Sequence, residues 1–327
     1  MTIEIIATGG SIAELFENGQ VRHLSGEELV EGLLRGSRID TDLRVNDILS
    51  VPSTWITPEN MREVGRAVVK AHAEKSVAGV VVSHGTATLE ETSFFVDLMI
   101  DGEKPVVFTG AQRYPGGHGY DGYRNLQDAI AVASSPKVRG LGSLVVINGE
   151  IHLARDAVKV HAGSMAAFSS PGWGPVGGVH LGAVRIIRRP NSRYAPLAPD
   201  GDLPRVDVLA TYTGMDGALL DASIAAGAQG VVIQGMTSVG IPDSLIDSVI
   251  ATVQRNIPIV IVSRCIESGV IPGSLSHFGL AGYSGELRRL GVAMSGLHAL
   301  KARCRLIALL AAGADAGTAL MEMNEID

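Results

Sequence analysis

Val77-Ala78-Gly79-Val80-Val81-Val82-Ser83-His84-Gly85-Thr86-Ala87-Thr88-Leu89-Glu90-Glu91-Thr92 is the stretch that decides the fold. Residues 77–82 carry no charge on either face, as expected of a parallel strand covered by helices on both sides. Hydroxyl residues and a glycine end the strand. A helical pattern then runs over 89–100, with Glu90 and Glu91 in its first turn. Thr88 and Glu91 have the spacing of a capping box. Thr86 precedes that cap, at the lip of the strand. Strand, glycine turn and helix in this order make the front half of a βαβ unit.

The rhythm extends both ways. Residues 3–8 read as a strand, and Ser25 opens a helix over 27–35. Thr57-Pro58-Glu59 has the N-cap-then-proline signature of a helix running to about residue 75. A strand at 105–109, a helix at 123–134 and a strand at 144–148 follow. Between residues 187 and 207 four prolines and several charges replace the apolar periodicity, which marks a linker. Beyond it come strands at 206–210, 230–233 and 258–263, with helices at 217–226, 242–254, 300–312 and 316–323. The expected fold is two α/β domains. Residues 1–187 form a larger, doubly wound, mostly parallel sheet, 188–206 the linker, and 207–327 a smaller Rossmann-like domain.

Composition narrows the function. The 327 residues hold 27 Lys and Arg against 34 Asp and Glu, a net charge of −7 with no basic stripe, which argues against nucleic acid as a partner. Hydrophobic residues reach 46%, ample for a core and incompatible with a disordered chain. Forty glycines point to tight turns and close backbone approaches. Cys265 and Cys304 are too few for a disulfide framework or a cysteine-rich metal site, and read as structural thiols of a reducing compartment. The first residues show no basic-then-apolar leader. The apolar run at 306–314 is far shorter than the ~20 residues of a membrane helix. A cytoplasmic protein without membrane contact is expected.

Ligands of open α/β sheets bind at the carboxyl ends of strands. At the first such end stands Ala7-Thr8-Gly9-Gly10-Ser11-Ile12-Ala13. A hydroxyl closes a buried strand, and two glycines clear the space beside it. A plain glycine turn is the other reading. A phosphate loop does not fit, because GxxxxGK[ST] and GxGxxG are both missing. Two hydroxyl-bearing loops at strand ends suggest a nucleophile and an activator. No GxSxG elbow is present. Arg155-Asp156-Ala157-Val158-Lys159-Val160-His161 places a lone lysine in an apolar, strand-like segment. Burial lowers a lysine pKa and suits it to proton transfer, whereas a lysine that snorkels to water is the competing reading.

Together these motifs resemble the bacterial asparaginase/glutaminase family. They are residues 7–13, HGTATLEET at 84–92, KPVVFTGAQR at 104–113, DGYRNLQDA at 121–129 and ARDAVK at 154–159. Residues 291–296 with Lys301-Ala302-Arg303 continue the match near the C-terminus. The resemblance implies a threonine nucleophile that attacks a carboxamide, forms an acyl-enzyme and releases ammonia. It also implies a homotetramer built as a dimer of dimers, with no cofactor and no metal ion. Position by position, Thr8 matches the nucleophile, Thr86 the second threonine and Lys159 its lysine. Ala111 matches the backbone position lining the amide pocket, and Ser53 the serine that holds the substrate carboxylate. Backbone N–H groups of Gly9 and of the Gly85-Thr86 turn would stabilise the oxyanion.

The departures bear on substrate. Where the family reads HGTD, this chain has Ala87, so the aspartate that meets the substrate α-ammonium is missing. Thr54 stands where a glutamine often follows the serine. Tyr283-Ser284 occupy the place of a neighbouring subunit's glutamate, Glu286 being the nearest acid. Residues 235–240 lack the family's asparagine. The loop tyrosine that activates the nucleophile is replaced around Arg22-His23-Leu24, where His23 is the candidate base. The expected function is therefore an asparaginase-like hydrolysis of a small carboxamide. A des-amino amide, lactam or cyclic imide as substrate, and a catalytically silent ligand-binding relative, are the alternatives.

Overall fold

The computed structural model describes residues 1–17, 19–37, 39–267, 287 and 289–324. Two compact units form, Met1–Pro196 and Leu197–Asp327. In the first, β1 (Thr2–Ala7), β4 (Asp42–Asp47), β5 (Val77–Ser83), β6 (Val106–Thr109) and β7 (Ser143–Ile147) run parallel in the order β4-β1-β5-β6-β7. The antiparallel strands β8 (Glu150–Leu153), β11 (Gly177–His180) and β12 (Ala183–Ile186) extend the sheet beyond β7. Side chains alternate between the faces, as pleating requires. Ile3, Ile5, Val81, Val107 and Val146 pack under α1 (Gly26–Leu34) and α4 (Gly122–Ala133). Ile6, Val80, Val82, Phe108 and Val145 pack under α2 (Pro58–Ala73) and α3 (Leu89–Asp97). Both faces of the sheet are covered, which is why β5, β6 and β7 carry no charge, and the one charge in β1, the buried Glu4, is paired with Arg44.

Two early helix starts follow the sequence rules and a third departs from them. Ser25 and Glu28 form a reciprocal capping box on α1, and Thr57 and Asn60 do the same ahead of Pro58 on α2. The expected box of Thr88 and Glu91 is not formed. Thr88 sits at φ −122°, ψ 12° with no side-chain cap bond, because its hydroxyl donates instead to the Ser53 carbonyl at 2.7 Å. Helix α3 also ends at Asp97 rather than residue 100.

Two hairpins complete this unit. One joins β2 (Glu14–Glu17) to β3 (Gln20–His23), and the other pairs β9 (Val158–Lys159) with β10 (Phe168–Ser169). The second unit is a parallel sheet of β13 (Val206–Ala210), β14 (Gly230–Gly235), β15 (Ile259–Ser263) and β16 (Ala293–Met294). Among the described residues its longer helices are α5 (Ala218–Ala225), α6 (Ile246–Gln254), α7 (Ala299–Ala311) and α8 (Ala316–Met323). Cys304 is buried in α7, and Cys265 is exposed. Among the described residues no helix is long and apolar enough to cross a membrane.

Candidate active site

Strands β1 and β5 lie side by side in parallel, with Ala7 opposite Ser83, so the chain leaves both strands at the same edge. Thr8 is the first residue beyond β1, and it is almost wholly buried. Its N–H and its hydroxyl both donate to the Ser83 carbonyl, at 3.1 and 3.0 Å. Gly9 and Gly10 then turn the chain at φ +88° and +80°, where a side chain is strained. A Cβ on Gly10 would stand 2.2 Å from the Gly85 Cα, and one on Gly85 only 2.5 Å from the Ser53 Oγ. The β1 and β5 loops therefore meet backbone to backbone, which brings Thr8 and Thr86 to one edge.

Thr86 is buried as well, and its hydroxyl accepts a hydrogen bond from the Lys159 Nζ at 2.7 Å. The lysine stands on β9, where its backbone N–H donates to Glu90 Oε2 at 2.7 Å. Half-burial lowers the Lys159 pKa below the ordinary lysine value, while the nearby Glu90 carboxylate pulls the other way. This lysine does not snorkel to water. It is held against a buried hydroxyl and sheds its proton more readily than a free lysine.

His84 fixes the turn between strand and threonine. Its ring is fully buried, and Nδ1 bonds the Gly85 carbonyl at 2.7 Å. Burial drives its pKa down to about 4 against the opposing pull of that bond, so the imidazole is neutral at physiological pH. Ala111, wholly buried, offers its carbonyl to the Ser11 hydroxyl at 2.7 Å. Its loop is anchored from below. Asp121 accepts from the N–H groups of Gln112 and Arg113, and Asn125 donates to the Gly110 carbonyl at 2.9 Å. Tyr120 ties the β1 loop to the same frame through a 2.6 Å bond to the Ile12 carbonyl. Burial, with help from Tyr123 and Asp121, raises its phenol far above the usual range, so it keeps its proton.

Ser53, in a single 3₁₀ turn over Ser53–Trp55, joins this group from the chain after β4. Its hydroxyl oxygen accepts the Ala87 N–H at 3.1 Å, which leaves the hydroxyl proton to donate. Thr54 and Ala87 are both exposed. The structure thus gathers Thr8, Gly9, Ser53, Gly85, Thr86, Ala87 and Lys159 around the ends of β1 and β5, with Ala111 on the adjoining β6 loop. His23 stands on the β2–β3 hairpin, in a cleft that also reaches Gly9. It is exposed, opposite Glu14, and lines this cleft of about 460 Å³ with Gly9, Ser25, Glu28 and Asp47. The Thr8 hydroxyl is bonded to Ser83 and not to His23. Tyr283, Ser284 and Glu286 lie outside the described residues. The sequence by itself gives no role to Glu90, Asp121 or Asn125. Their only signal there is acids and an amide at helix starts beside the glycine turns.

No group of three or more His, Cys, Asp or Glu side chains among the described residues could hold a metal ion. Residues 2–192 match the asparaginase N-terminal family model, and residues 205–319 match the glutaminase/asparaginase C-terminal domain. The L-asparaginase of Bacillus licheniformis is 32% identical over 313 residues, covering 94% of this chain and 95% of that protein. The glutaminase-asparaginase of Pseudomonas fluorescens biotype A is 33% identical over 244 residues, or 71% of this chain and 67% of the relative. Among solved structures, the crystal structure of a probable cytoplasmic L-asparaginase from Campylobacter jejuni aligns with a TM-score of 0.85 at 28% identity, covering 98% of both chains.

Proposed function

The chain belongs to the asparaginase/glutaminase family of amidohydrolases, which act on C–N bonds, and from that premise we propose that it hydrolyses a small carboxamide with Thr8 as nucleophile. The observation that carries this reading is the 2.7 Å bond between Lys159 Nζ and Thr86 Oγ1, at the edge where Thr8 also stands. A hydroxyl is a weak nucleophile until a base takes its proton. A buried hydroxyl coupled to a desolvated amine is a built proton carrier, and ordinary core packing has no need of one.

Thr8 Oγ1 attacks the amide carbon while its proton passes toward the Thr86–Lys159 pair or to His23. Return of a proton to the leaving nitrogen releases ammonia and leaves an ester on Thr8. Water then enters, the ester is cleaved, and Thr8 regains its proton. Backbone N–H groups of the Gly9-Gly10 turn and of Thr86 receive the charge that develops on the amide oxygen. The Ala87 N–H is engaged by Ser53, whose own proton is directed to the acid or polar end of the substrate. Ala111 walls the amide side.

Ammonia release from a panel of soluble carboxamides tests the reading. Turnover of at least one is expected, and binding without turnover of any would identify a silent relative instead. We further propose that the protein works in the cytoplasm as a homotetramer, a dimer of dimers. Light scattering at micromolar concentration should then give a species near four times 34.1 kDa. A lone monomer would refute that assembly.

A further inference from the structure

We propose that the substrate bears an uncharged, apolar substituent on the carbon next to its carboxylate, and that Trp55 is the wall against which this substituent packs. The inference rests on the amidohydrolase reading above and adds a substrate class to it.

Two observations carry it. The first is the charge of the frame. The strand-end loops at residues 8–13, 48–57, 83–88 and 110–113 contain no aspartate or glutamate. The acids built into their supports are already engaged by backbone N–H groups. Asp47 accepts from Gly26, Glu90 from Lys159, and Asp121 from Gln112 and Arg113. Glu28, which lines the cleft at Gly9 together with Asp47, is held by Arg22 and the Ser25 N–H, so a substrate ammonium brought into this edge meets Lys159 and only carboxylates that already have partners. Removing such a charge from water without a partner is costly.

The second is the rim. The Ser53–Trp55 turn is pinned to the Thr86 loop twice, by Ala87 N–H to Ser53 Oγ at 3.1 Å and by Thr88 Oγ1 to Ser53 O at 2.7 Å. Trp55 is two residues beyond that double anchor and is 71% exposed. Tryptophan is highly buried on average, so an indole exposed in the single chain, on a turn fixed to the Thr86 loop through Ser53, offers a face to an apolar partner. Its rim neighbours Thr54 and Ala87 are neutral and exposed too. An aromatic or branched aliphatic group on the substrate satisfies this rim, whereas an ammonium does not.

Three amides that differ only at the carbon in question decide the matter. They are L-asparagine with its ammonium, succinamate with hydrogen, and 2-benzylsuccinamate with an apolar ring. The expected order of kcat/KM is benzyl, then hydrogen, then ammonium, with at least tenfold between the ends. Trp55→Ala should lower kcat/KM for the benzyl compound tenfold or more and leave succinamate within about threefold, while Trp55→Phe keeps the preference. If L-asparagine is the best of the three by tenfold, an acid from the β2–β3 hairpin or from a second copy supplies the contact and the proposal fails alone. It fails equally if Trp55→Ala depresses all three alike, or if the variant changes the assembly size, since a second copy would then cover the indole. Ammonia from none of the three, or ammonia undiminished by Thr8→Ala, removes the hydrolase reading and this proposal together.

Discussion

Thr8→Ala is expected to lower ammonia release by at least about a thousandfold while the protein remains folded. Loss of a covalent nucleophile leaves only the binding and oxyanion contributions, and drops of this order or larger are typical. The structural cost of the change is small. The variant gives up one hydrogen bond to the Ser83 carbonyl, worth on the order of 1 kcal/mol. That carbonyl stays paired with the Thr8 N–H. Circular dichroism and thermal melting should therefore show a native protein with a slightly lowered midpoint. Thr8→Ser should keep part of the turnover, since the hydroxyl survives with more rotational freedom. Initial rates with the best amide of the panel provide the measurement. Near-normal rates in the alanine variant would end the nucleophile assignment.

Lys159→Met should cost between about a hundredfold and ten-thousandfold, the usual range for losing a positioned proton-transfer group. The pH profile separates this from a packing defect. A lysine that accepts protons works when neutral, so kcat/KM should rise with pH through the Lys159 pKa. Because burial depresses that pKa, the rise should be centred below the ordinary lysine value. Glu90 opposes the depression, so Glu90→Gln should move the rise to still lower pH while its side-chain oxygen goes on accepting the Lys159 N–H. In Lys159→Met the rise should vanish. A profile centred at or above the free-lysine value, or one that Glu90→Gln shifts upward, would remove Lys159 from the proton path.

Much of this fold is legible in the order of the residues alone, and the reasons are local. Strand β5 announces itself because both its faces are buried, so its residues cannot carry charge. Helices α1 and α2 begin where a cap residue and its partner three positions on can bond each other. Strand β4 is hidden because it is the sheet edge. Its Asp-Leu-Arg-Val-Asn-Asp pattern mixes charge with apolar residues and mimics a loop. The β2–β3 hairpin is hidden for a related reason, since its Phe16 and Val21 are exposed and leave no buried face to read. The site divides in the same way. Thr8, Thr86 and Lys159 stand out by residue type and neighbours. The failed cap at Thr88 does not, because the competing partner, the Ser53 carbonyl, lies 35 residues away in sequence. Nor do the props beneath Ala111, which come from Asp121 and Asn125 on a different element.

The contact between Gly10 and Gly85 has a consequence for anyone redesigning this enzyme or tracing its descent. Each glycine is the mould against which the other loop is cast, with no atom to spare on either side. A graft that imports a new β5 loop with any side chain at position 85, or a β1 loop with one at position 10, spoils the loop it leaves untouched. The two segments thus travel as a single module despite the 75 positions between them. Libraries that diversify one of them alone will mostly return misassembled sites. Shuffling schemes should exchange residues 8–13 and 83–88 as a pair, with Ser53 as the third member, since its hydroxyl closes on the same backbone.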